Sequence, residues 1–413
     1  MKNDALGYKQ TSFGFIPIDW EVKKLGDLGK VISGLTYSPD DICEESGTLV
    51  LRSSNVQDGQ IKLGDNVYVK VKTGEYNPVN KQDILICVRN GSKSLIGKNA
   101  LITEEAAGMA FGAFMAIYRS DFNNYLYQIF NTDIYYREIH KNLGATINSI
   151  NGSDLKEIKI PIPPLPEQNK IVSILSTWDK AIDNCKGIVD NLKNRNNGLS
   201  QQLLSGKMRV KGFEKSKWTL VSINRFAKDS STKNPIDKEL IVLSCTKHNG
   251  LVPSLEYFGR KIYSDDLTTY KIVSKGQFAY ATNHIEEGSI GYQSEYDEAL
   301  ISPMYTVFQT NETVNDNFLF RVLKSSNYIH EYQKRMEGSI DRRGGLRWNE
   351  FSKIKVPVPE IKEQIAINEI LDKATEELKQ YQDKLQTLQL QKKGLMQQLL
   401  TGKVRVETNN YKQ

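Results

Sequence analysis

The stretch IKIPIPPLPEQNKIVSIL at 158–175 returns as IKVPVPEIKEQIAINEIL at 354–371, with nine of 18 positions identical. Further on, QQLLSGKMRV (201–210) returns as QQLLTGKVRV (397–406), with eight identities in ten and the same offset of 196 residues. A fainter echo at offset 198 joins GFIPIDWEV (14–22) to GFEKSKWTL (212–220). Self-similarity at a fixed period marks a duplicated structural unit. Each unit opens on a Trp (Trp20, Trp218), runs through a long divergent stretch, and reaches a Pro-rich exit. A long segment ending in QQLL-[ST]-GK then closes it.

That last segment reads as a helix. Prolines at 161, 163, 164 and 166, and at 357 and 359, disfavour helix before it, and none occurs from 167 to 204 or from 361 to 400. Gly206 and Gly402 follow, where a left-handed cap residue is expected. Spacing apolar positions alternately by four and three gives Ile171, Leu175, Trp178, Ile182, Cys185, Val189, Leu192, Asn196, Leu199 and Leu203 in the first copy. The second gives Ile367, Leu371, Ala374, Leu378, Tyr381, Leu385, Leu388, Lys392, Leu395 and Leu399. The single polar residue falls at the same repeat position in both, Asn196 and Lys392. This is a coiled-coil seam in which one polar residue sets register. Packing of each helix only on its own module fits a seam sustained over five heptads less well.

A helix of about 38 residues spans about 57 Å, and only a short basic junction (207–217) separates the first from the second module. The second helix can pair with the first only by running back antiparallel, so a dumbbell with an approximate two-fold axis is expected. The division expected is a first module at 1–160, a first long helix at 161–206, a second module at 207–357, a second long helix at 358–404 and a tail at 405–413. Each module reads as mixed and strand-rich: 49–56, 83–90, 111–120, 240–245 and 304–310 are β-branched and aromatic runs bounded by Gly, Asn or Asp. Helices at 125–143 and 315–336 follow late in each. The fold class expected is α+β.

Chemistry is sparse. The 413 residues carry 55 Lys+Arg against 49 Asp+Glu, a net charge of +6, with 39% apolar and 25% charged residues. That suits a globular multidomain chain. No run of 18 uninterrupted apolar residues occurs, and no apolar stretch follows the lysine of MKNDALGYKQ, so neither a membrane span nor a secretory signal is expected. Cys43, Cys87, Cys185 and Cys245 stand apart without a CxxC pair, which favours a reducing cytoplasm over zinc or disulfides. The four histidines show no metal-ligand spacing, and His284 beside Glu286 and Glu287 reads as a surface loop. GSKSLIGKN (91–99) has one residue too many for a phosphate loop, and Asn where Ser or Thr would bind magnesium. No catalytic residue and no metal ligand is therefore expected.

The polar decoration lies on loops after strands. Arg52, Ser53, Asn55, Arg89, Asn90, Ser92 and Lys93 are the candidates in the first module. Lys247, Asn249, Asn283, His284, Arg342, Arg343 and Arg347 are those in the second. The long helices are nearly neutral, with five basic against four acidic residues at 166–204 and six against seven at 360–400. The positive excess therefore belongs to modules, junctions and tail. Arg and Asn are the side chains that read guanine and adenine edges, and lysines and hydroxyls hold phosphates.

With these residues in view, the chain resembles a specificity subunit of a Type I restriction–modification system over essentially its whole length. The resemblance rests on IPIPPLPEQ…QQLLSGK and VPVPEIKEQ…QQLLTGK, and on LRSSNV, CVRNGSKSLIGK, ISPMYTVF and GSIDRRGGLRWNEF. It implies two target-recognition domains, each binding one half of a split asymmetric duplex sequence, with the antiparallel helices setting the spacer. It also implies two modification (methyltransferase) subunits that carry S-adenosylmethionine, and restriction/translocase subunits that use ATP and Mg. No cofactor is expected on this chain. The alternative is a non-catalytic coiled-coil scaffold with two heads that bind proteins or glycans. A nuclease in its own right is disfavoured by the missing acidic and metal-ligand clusters.

Overall fold

The structure, a computed structural model, describes residues 7–143, 148–234, 239–337 and 345–407. It divides into two units, one containing residues up to 186 together with those from 383 onward, the other residues 187–382. The first long helix is Leu165–Leu204 and the second Ile361–Leu399, so each gives one half to either unit. Both match the proline-free stretches 167–204 and 361–400 to within two residues, whereas residues 161–162 and 358, assigned above to the long helices, belong to strands.

In the first unit, strand Glu21–Lys24 pairs antiparallel with Lys159–Ile162, Lys24 opposite Lys159. In the second, Thr219–Ser222 pairs with Lys355–Val358, Ser222 opposite Lys355. The opening Trp segment and the Pro-rich exit are thus two strands of one ribbon, repeated in the same register. Pro161 and Pro357 are tolerated because a two-stranded ribbon has only edges, where a missing N–H costs no ladder bond.

Between those strands the frame also repeats, although the sequence does not. In the first unit a four-stranded sheet runs in the order Asn99–Leu101, Ile84–Cys87, Met115–Arg119, Lys30–Ser33. In the second the matching order is Ile290–Tyr292, Gln277–Ala281, Tyr305–Thr310, Ala227–Asp229. Every pairing in both sheets is antiparallel. Two helices follow each sheet: Asn123–Phe130 with Asp133–Lys141, and Asp316–Leu323 with Ser326–Glu337. The single helices expected at 125–143 and 315–336 are each broken, at Asn131–Thr132 and Lys324–Ser325, because hydroxyl and amide side chains there bond locally to the preceding turn. Thr132 Oγ1 donates to the Ile129 carbonyl at 2.6 Å and Ser325 Oγ to that of Val322 at 2.7 Å. The strand expected at 49–56 ends at Leu51 and passes into a short turn, Ser53–Asn55.

Within each unit the two half-helices run antiparallel. Ile171 and Leu175 share a core with Met396, Leu399 and Leu400 in the first unit, as Leu203 does with Ile367 and Leu371 in the second. Ile182 and Leu192 are also buried, while Trp178, Leu199, Leu378, Tyr381, Leu385 and Leu388 are half-buried. The two polar seam residues make specific contacts: Asn196 Nδ2 donates to the Ala374 carbonyl at 2.7 Å, and Lys392 Nζ to Asp179 Oδ1 at 2.5 Å. A one-turn slip would break either bond, which is how a polar seam residue fixes register.

Each unit is closed by the arginine that follows the other copy's helix. In the second unit Glu363, fully buried, accepts from Trp218 Nε1 at 3.0 Å, Ser216 Oγ at 2.6 Å and Arg209 Nη2 at 2.8 Å. In the first, Glu167 accepts from Trp20 Nε1 at 3.0 Å and from Arg405 Nε at 2.8 Å, while Arg405 also pairs with Asp19. The Arg405 guanidinium hydrogen-bonds to Asp19 and holds its carboxyl below the usual carboxylate range. Gly206 and Gly402 are left-handed, at φ +71° and +69°; a Cβ at Gly402 would overlap Pro17, and one at Gly206 would press on Trp218. Gly187 is different: it lies inside the first helix with open space where a Cβ would stand. Gly187→Ala is expected to raise stability by about 0.5–1 kcal/mol, read as a higher urea midpoint.

Candidate nucleic-acid interface

In the first unit the strand Ile84–Cys87 delivers the chain to Arg89 and Asn90 at one end of the sheet. Arg89 is exposed, with its guanidinium 5.2 Å above the Phe114 ring, and its N–H donates to the Phe114 carbonyl at 3.1 Å. Asn90 Nδ2 donates to Ser53 Oγ at 3.2 Å, which joins two loops 37 residues apart in sequence. Ser92 and Lys93 are exposed on the next turn. Arg52, Ser53 and Ser54 line a cleft of about 490 Å³ together with Tyr37 and Phe114. Arg52 reaches Asp65 at 3.2 Å, while Arg52 Nε and Ser54 Oγ have no partner among the described residues.

Asn55 does not belong with the readers. It is fully buried, its Oδ1 accepts from the Arg52 N–H, and its Nδ2 donates to the Lys62 and Asp65 carbonyls. Its amide is used in holding the turn that presents Arg52 and Ser53.

In the second unit the candidates converge through a lysine that sequence reasoning missed. Lys324 Nζ donates to the carbonyls of Thr246 at 3.1 Å, Lys247 at 2.7 Å and Gly288 at 2.7 Å. It thereby ties the tip of the hairpin Leu243–Thr246/Gly250–Pro253 to the loop after strand Gln277–Ala281. Burial pushes the Lys324 ammonium below the usual lysine pKa, and three carbonyls take the place of its water. Lys247 and Asn249 are exposed at that tip, and Asn283 and His284 on that loop. The Leu346 N–H donates to the Thr282 carbonyl at 2.9 Å, which brings Arg347 to the same end. Gly345, at φ +66°, passes so close to Thr282 and Asn283 that a Cβ would overlap both. Arg342 and Arg343 lie outside the described residues. His284, Glu286 and Glu287 bring possible ligand atoms within 4.8 Å of one another, as an exposed His284–Glu287 pair at 3.7 Å accounts for.

Sequence-level cues for Lys324 were absent, since its role depends on three carbonyls distant in the chain. Phe114 and Met304 were also missed, although both are large apolar residues at 56% and 61% exposure. Among the described residues, no helix is long and apolar enough to cross a membrane.

Residues 17–194 match the family model described as "Type I restriction modification DNA specificity domain". The chain is 25% identical over 425 residues to the Type I restriction enzyme MjaVIII specificity subunit of Methanocaldococcus jannaschii, covering 96% of this chain and 95% of that one. It is 28% identical over 212 residues to the EcoKI specificity subunit of Escherichia coli K12, covering 49% and 46%. Its fold is that of the S subunit of the M. genitalium Type I restriction–modification system, with a TM-score of 0.53 at 16% identity over 92% of this chain and 96% of that one. Two strand-rich modules on one repeated frame, each closed by half of two long helices, thus form a chain that is similar over nearly its whole length to Type I restriction enzyme specificity subunits.

Proposed function

We propose that this chain is the DNA-reading subunit of a Type I restriction–modification complex. Each unit reads one half of a bipartite asymmetric duplex sequence, and the long helices set the gap between the halves. The observation that carries the reading is the convergence of Arg, Asn, Lys and His side chains at the end of the same sheet in both units. They sit on loops held by bonds such as Asn90–Ser53 and Lys324–Gly288. Loops of this composition on a rigid sheet suit base-edge readout flanked by phosphate contacts. The helices also offer two modification subunits a repeated docking surface. Those partners would supply S-adenosylmethionine and adenine methylation, and restriction/translocase subunits would supply ATP- and Mg-dependent cleavage. The chain itself would remain non-catalytic, without cofactor, in the cytoplasm where its DNA lies.

Gel shift of the assembled methyltransferase complex tests this. Binding to target duplex is expected to fall steeply as salt rises, because phosphate contacts release counterions. Absence of binding at moderate salt would leave the scaffold reading. Inserting seven residues at matched points of both helices adds about 10 Å of helix, so a gap lengthened by one or more base pairs is expected in the methylated motif. An unchanged gap would show that the helices do not measure it.

A further inference from the structure

Phe114 and Met304 occupy the same place in the two frames. Each immediately precedes the strand at the centre of its sheet, Met115–Arg119 or Tyr305–Thr310. Register proves the equivalence: Cys87 pairs with Met115, and Ala281 with Tyr305. Each has its carbonyl held by the loop that carries the polar candidates. Val88 and Arg89 N–H groups donate to Phe114 at 3.0 and 3.1 Å, and Thr282 Oγ1 donates to Met304 at 3.1 Å. The side chains therefore leave fixed backbone beside Arg89–Asn90 in one unit and Asn283–His284 in the other. One exposed apolar side chain is ordinary on any surface. Its recurrence at one strand position in two modules whose interiors have diverged calls for a shared task.

We propose that Phe114 and Met304 are specificity-determining residues, each packing on the C5-methyl group of a thymine in the major groove of its half-site. The inference rests on the DNA reading above and deepens it. Arg, Asn and Lys match the polar pattern of the major-groove edges, and the thymine methyl is the apolar group on those edges. An apolar side chain fixed among such readers has that group as its complement. Insertion between stacked bases, the other use of an apolar side chain on DNA, needs both faces of a phenyl ring free. In Phe114 the Arg89 guanidinium covers one.

Uracil, which is thymine without the methyl, gives the test. With the target known from a methylation map, each thymine is replaced in turn and binding by the assembled complex is measured. One thymine in each half-site is expected at which uracil weakens binding about fourfold, the effect of one buried methylene. Phe114→Ala should abolish that discrimination in one half-site and Met304→Ala in the other, with Phe114→Leu retaining part of it. Specific binding that ignores uracil everywhere would overturn the proposal, as would discrimination that survives both alanine variants. So would an equal loss on thymine and uracil duplexes, the signature of insertion. Loss of sequence-specific binding by the unaltered complex would instead overturn the DNA reading beneath it.

Discussion

Glu363→Ala is expected to cost about 3–5 kcal/mol, the range for removing one partner of a buried ion pair, and to lower the urea midpoint of the purified chain accordingly. Glu363 is fully buried and receives three different donors: the Trp218 indole, the Ser216 hydroxyl and the Arg209 guanidinium. Arg209 would keep its bonds to the Phe213 and Ser216 carbonyls, but its charge would lose the carboxylate. The indole N–H and the hydroxyl, both part-buried, would lose their acceptor as well. Glu363→Gln retains an acceptor for Trp218 and should cost less than Ala. Glu167→Ala should do the same in the first unit, where Trp20 and Arg405 are the donors. A loss within about 0.5 kcal/mol, as for a surface substitution, would mean that these clusters do not hold the units closed.

Arg89→Ala with Asn90→Ala is expected to relax recognition of one half of the target and leave the other half as specific as before. Asn283→Ala with Arg347→Ala should give the converse. A good bidentate contact between side chain and base discriminates by about 1–3 kcal/mol, or about fivefold to 150-fold. The halves should separate because the two reader sets stand on different units with different cores. Competition between duplexes mutated in one half at a time reads the effect. A uniform weakening on every duplex would mark these residues as phosphate contacts instead.

The parts legible in the sequence were those where one residue type has one physical consequence. Proline placement and heptad spacing gave both long helices to within two residues, and the polar seam positions identified Asn196 and Lys392 before their partners were known. The ribbon was less legible, because IKIPIP reads equally well as a connector until Glu21–Lys24 is seen beside it. Three strands of the shared sheet were legible, Ile84–Cys87, Met115–Arg119 and Tyr305–Thr310 lying within the runs at 83–90, 111–120 and 304–310, but the order and repetition of the sheet were not. Its strands are set by register against neighbours far along the chain, and almost any β-branched or aromatic residue fills such a position. The readers divide in the same way. Exposed loop residues such as Arg89 and Asn283 could be named from composition, but Asn55 looks identical to them in sequence and is buried by the Lys62 and Asp65 carbonyls. Lys324 and the Phe114–Met304 pair required the fold.

Single-molecule methylation sequencing of the host genome, with this gene intact and deleted, tests the central claim most directly. The account predicts one adenine-methylated motif with two specified halves of different sequence and a fixed unspecified gap, present with the gene and lost on its deletion. A methylome unchanged by deletion, or loss of a motif that is continuous and undivided, would contradict it.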